Sequence, residues 1–86
     1  MTNREEYAQY VSRKRQGSEA VLRVMHRESP DGPINLDYLR DKAIEQTGLT
    51  RTDIATSISQ LVGNYELRRG FDENSLLTVT LVREVE

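Results

Sequence analysis

The chain reads as one mostly helical domain closed by a small β-hairpin, an α+β fold with a three-helix core. Three observations predict this. Apolar residues recur at helical spacing in separate stretches before residue 63, strict alternation begins only after it, and Gly48 and Gly63-Asn64 stand at the boundaries. Eighty-six residues can fill one core but not two. With 36% hydrophobic and 30% charged residues, two prolines and five glycines, the composition is that of a folded chain.

The opening segment, residues 2–16, carries Tyr7, Tyr10 and Val11 at i, i+3, i+4 behind a Thr2-x-x-Glu5 capping box, the pattern of a short amphipathic helix. Gly17 is expected to interrupt it, dividing the chain into a basic N-terminal arm or helix over 1–17 and a main domain over 18–86. The first part reads as a frayed basic tail or a simple extension of the next helix, with an arm that packs on a partner subunit or tracks phosphates as the sharper alternative. From Ser18 as N-cap, Ala20, Val21, Val24 and Met25 share one face of the first core helix. His26 falls on the opposite side with no second ligand type at useful spacing, so it reads as a surface histidine. Pro30, Asp31-Gly32 and Pro33 end that helix, and Ile34 leaves room for a very short strand.

Asn35 then caps a second helix whose stripe is Leu36, Leu39, Ala43 and Ile44, with Asp37 at its positive end and Gly48 as its stop. Thr50 opens a third helix, with Asp53 three residues on in the acidic form of a capping box and Ile54, Ile58, Leu61 and Val62 as its buried set. After Gly63-Asn64, Tyr65, Leu67 and Phe71 alternate in one strand. Leu77, Val79 and Leu81 alternate with Thr78 and Thr80 in the next, and residues 72–75 form the turn.

Charge and residue usage exclude several function classes. Cysteine is absent, so disulfides, thiol nucleophiles and cysteine-ligated zinc are excluded, and a reducing, cytoplasmic setting is expected. The N-terminus shows no signal-like apolar run and no later stretch is long enough for a membrane helix. One histidine, no glycine-rich phosphate loop and no paired-carboxylate motif predict neither an enzyme nor a metal or cofactor site. The formal net charge of −2 argues against a polyanion binder held by bulk charge, so any nucleic-acid contact must be local. Residues 1–17 carry Arg4, Arg13, Lys14 and Arg15 against only Glu5 and Glu6.

The order helix, short strand, helix, three-residue turn, helix, hairpin resembles the winged helix-turn-helix superfamily over residues 18–83. The resemblance lies in "TGLTRTDIATSISQLVGNYELRR", residues 47–69, which is similar to the turn, recognition helix and first wing strand of MarR-like and GntR-like regulators. Gly48 matches the turn glycine, Leu49 the buried turn residue, Thr50 the recognition-helix cap, and Ile54, Ile58 and Leu61 its core positions. Leu67-Arg68-Arg69 resembles the strand entering the wing. The family carries a small residue four places before the turn glycine; here that place holds Ile44, with Ala43 just before it. The resemblance implies a three-helix core plus wing, to which the N-terminal segment, outside its range, is expected to add a helical extension.

At about 100° per residue the side of helix 50–62 opposite its apolar set is Thr52, Thr56, Ser59, Gln60 and Gly63, none of them charged. Hydroxyls can bond phosphates or base edges, a threonine methyl suits thymine, and glutamine can bond adenine twice. Thr50, Arg51, Thr52, Thr56, Ser59, Gln60, Arg68 and Arg69 are therefore the expected DNA-binding set, with Arg13, Lys14 and Arg15 as possible arm contacts. The alternative for Arg68 and Arg69 is pairing with Glu66 or Asp72 across the hairpin. The resemblance thus implies a repressor-like regulator of double-stranded DNA. One helix spans few base pairs, so a homodimer is expected, with Tyr7, Tyr10 and Val11 as its contact. A winged-helix module for protein–protein interaction is the competing expectation.

Overall fold

The computed structural model describes residues 3–82. Its elements are α1 (Asn3–Glu28), β1 (Ile34–Asn35), α2 (Leu36–Thr47), α3 (Arg51–Gly63), β2 (Leu67–Phe71) and β3 (Leu77–Leu81). The strands form one antiparallel sheet in the order β1-β3-β2, so the hairpin gains a third, two-residue strand at its edge. The mostly helical α+β expectation holds. The capping box proposed at Thr2 lies outside the described residues.

The first correction concerns Gly17, which does not interrupt anything. Helix α1 runs through it, and Ser18 is a mid-helix residue with no capping role. A helical glycine costs only about 1 kcal/mol relative to alanine, too little to break a helix whose flanks are held. The glycine instead permits contact: a Cβ there would lie 2.3 Å from Ser57 Oγ and 3.1 Å from Ser57 Cβ. Ser57 is buried and its hydroxyl donates to the Lys14 carbonyl at 3.3 Å. Farther along, Leu22 and His26 border the same hollow as Asn64, Tyr65 and Glu66. The two helices thus lie side by side in the same direction.

The core is built from Ala20, Val21, Val24 and Met25 of α1, Leu39 and Ala43 of α2, and Ile54, Ile58 and Leu61 of α3, closed by Ile34, Leu67 and Val79 from the sheet. The expected stripes are the observed ones. Leu36, Ile44, Leu49 and Val62 pack at its margin. At the surface, the Tyr38 phenol donates to Glu28, tying α2 to the end of α1. That hydrogen bond, then desolvation and the nearby carboxylate charge, raise the phenol's pKa above its ordinary value.

The end of α3 and the hairpin bring the second correction. Tyr65 is not a strand residue: it takes a left-handed conformation, φ 63°, just past the helix. Its N–H donates to the Val62 carbonyl and the Glu66 N–H to the Leu61 carbonyl, the two bonds of a Schellman ending. Phe71 is a strand residue as expected, but an exposed one. It pairs with Leu77 at the far end of the hairpin, beyond the reach of the helices, and is 72% exposed. On that face Leu67 and Val79 are buried and Leu81, opposite Leu67, is partly buried against the core.

Candidate nucleic-acid interface

Helix α3 is set by local chemistry at its N-terminal end. Gly48 adopts φ 72° and its N–H donates to the Ile44 carbonyl at 2.7 Å, which ends α2. The Thr47 hydroxyl donates to the Ala43 carbonyl at 2.8 Å and accepts from Leu49 N–H at 3.1 Å, fixing the turn. Thr50 Oγ1 accepts from Asp53 N–H at 3.1 Å and Asp53 accepts from Thr50 N–H at 3.4 Å, the reciprocal box expected from sequence. Thr47, Gly48, Thr50 and Asp53 thus fix where α3 starts.

Ile54, Ser57, Ile58 and Leu61 face inward. Their opposite side, Thr52, Thr56, Ser59 and Gly63, is exposed, and Arg51 is exposed at the first turn. Gln60 is half-buried at the margin of this face. The uncharged strip is therefore open to solvent.

Cations stand on both sides of it. On one side, Tyr10, Arg13 and Lys14 of α1 line a hollow with Asp53 and Thr56. Lys14 Nζ lies 5.3 Å from the centre of the Tyr10 ring, within cation–π range. On the other side, Arg69 Nη2 donates to Ser59 Oγ at 3.0 Å. Arg69 can do so because strand alternation puts it on the same face as Leu67 and opposite Val79, looking toward the helices.

Two expected contacts lie elsewhere. Arg15 lines a separate shallow hollow with Tyr7, Ala8, Val11 and Ser12. Arg68 is exposed on the other face of the sheet, paired with Thr80. Of the expected stripe of Tyr7, Tyr10 and Val11, Tyr10 borders α3, while Tyr7 and Val11 line the hollow formed by α1 alone. Neither Arg68 nor Arg69 forms an ion pair with Glu66 or Asp72 among the described residues. Asp72 instead accepts from the backbone N–H groups of Asn74 at 2.8 Å and Leu76 at 3.0 Å, closing the hairpin turn.

Sequence reading missed two residues. Ser57 falls inside the apolar arc, three residues after Ile54 and four before Leu61, and that placement alone marked it as buried. Arg40 lines a hollow with Leu36, Ala55, Ile58, Ser59 and Arg69. Its signal was a cation beside the apolar stripe of α2, four residues after Leu36. Comparison of the chain with family models, curated proteins and solved structures returns no match.

Proposed function

We propose that the chain is a small sequence-specific double-stranded-DNA-binding protein of the winged helix-turn-helix type, a repressor-like regulator of the cytoplasm. In this reading α3 enters the major groove and the hairpin meets the backbone. One observation carries it: an exposed, uncharged strip of Thr52, Thr56 and Ser59 runs between Arg13 and Lys14 on one side and Arg69 on the other. Neutral hydroxyls can read base edges, while cations set to either side can meet the phosphates that border a groove. The order of elements and the three-residue connection from α2 to α3 support the same reading.

The net charge of −2 makes the arrangement matter more than the total. From 48 to 71, Arg51, Arg68 and Arg69 stand against Asp53 and Glu66, so the sign turns locally positive. Useful affinity on a few base pairs per subunit requires a dimer, for which Tyr7 and Val11 in the hollow along α1 are the proposed contact. With about 4 to 6 phosphate contacts per subunit, log affinity should fall against log salt by roughly 0.9 per contact.

The test is selection from a random duplex pool followed by salt titration of the winner, repeated with Arg51→Glu. We expect one enriched motif for the native protein and loss of binding for the variant with an unchanged circular-dichroism melt. Absence of duplex binding by the native protein at low salt would falsify the reading. A second reading, a protein-interaction module, draws on the hairpin tip, where Phe71, Leu76 and Leu77 are exposed beside Asp72 and Glu73. Phe71→Ser distinguishes the two: duplex affinity is retained in the first, and partner capture is lost in the second.

A further inference from the structure

Arg40 of α2 and Arg69 of β2 border one hollow against α3, with Ser59 at its rim and Ala55 and Ile58 in its floor. Two guanidiniums around a shared space repel one another unless something negative stands between them. Asp37 answers part of this by pairing with Arg40 Nη2 from an exposed position. The Arg40 Nε–H remains buried with no acceptor, on a side chain that keeps 17% of its surface exposed. A buried charged donor left unmade is costly, so its retention needs a reason. Arg69 meets no carboxylate among the described residues; its one partner is the neutral Ser59 hydroxyl.

We infer that this hollow binds a phosphate oxyanion, with Arg40 Nε–H and the Arg69 guanidinium as donors. In the DNA complex the anion is a backbone phosphodiester beside the groove that α3 enters. The source of the anion rests on the DNA reading above; the site itself does not. A tetrahedral phosphate offers oxygens in several directions and can accept from two elements at once. The apolar floor keeps water from competing for the same donors. Arg40 is thereby a phosphate-positioning residue, and it adds α2 to α1, α3 and the hairpin as an element that touches the duplex.

The experiment measures duplex binding by anisotropy over a salt series for the native chain, Arg40→Met and Arg69→Met. Arg23→Met serves as the control, since Arg23 lies elsewhere and bonds Gln46. Methionine keeps the apolar stem, and loss of an unpartnered N–H should leave the melt of Arg40→Met unchanged or higher. We expect each hollow variant to lose about tenfold in affinity on every duplex sequence, with the salt slope smaller by about one. The control keeps its slope. Unchanged affinity and slope in both hollow variants overturn the inference while the DNA reading stands.

A second arm titrates inorganic phosphate and follows the Arg40 Nε–H resonance. A saturable shift abolished by Arg69→Met supports the site even if the native chain binds no duplex, in which case a phosphodiester is the wrong source and the DNA reading has failed separately. No shift at ordinary buffer phosphate overturns the inference by itself.

Discussion

Gly17 sits where a methyl group would collide with Ser57. Rotating the Ser57 hydroxyl away would remove the 2.3 Å contact but leave its Cβ at 3.1 Å, so relief is only partial. Alanine would gain about 1 kcal/mol of helix propensity and lose about 1–3 kcal/mol to overpacking, and overpacking should win. Gly17→Ala is expected to lower stability by about 1 kcal/mol in urea unfolding, with part recovered in Gly17→Ala/Ser57→Ala as a positive coupling. Tyr65 makes the opposite case. It holds a left-handed position at 83% exposure, so its side chain contributes little packing to set against the backbone strain. Tyr65→Gly should therefore raise stability by about 0.5–1 kcal/mol, read as a higher melting temperature. An unchanged or lower value would mean that the exposed ring contributes packing after all.

Helix α3 starts on a single capping side chain, as α2 does on Asn35. Thr50→Ala removes the acceptor for Asp53 N–H and should cost about 1 kcal/mol, with faster amide exchange confined to the first turn of α3. Such a cap was legible because its partners are three residues apart, and so were the Asn35 cap, the Gly48 stop and all three apolar stripes. Gly17 was misread because its role depends on Ser57, 40 positions away and on another helix. The hairpin was legible in its alternation but not in its reach: sequence gives the face of Phe71, whereas cover depends on where the helices stop. At the candidate site, the open strip of α3 followed from its period. Which cations flank it did not, since Arg13, Lys14, Arg40 and Arg69 come from three elements whose placement is tertiary.

The whole molecule is elongated, 49 Å by 30 Å by 21 Å, because α1 has 26 residues and so a length of about 39 Å. Its N-terminal half carries Tyr7 at 68% exposure, lining a hollow with Ala8 and Val11. Tyr7→Glu with Val11→Glu should convert the proposed dimer to a monomer in sedimentation, weaken duplex binding by more than tenfold, and leave the monomer's melt near that of the native chain. A native protein that sediments as a monomer at working concentration would remove this contact from the proposal. The unbroken passage of α1 through Gly17 also sets how two such subunits could straddle a target. In the proposed dimer, with no joint between the N-terminal ends and the core, the two α3 helices would keep a fixed separation and phase. One inserted base pair rotates the second half-site by about 34–36°, and a jointless rod cannot swivel to follow it. On the proposed DNA reading, a target should tolerate changes in the letters at its centre far better than changes in its length.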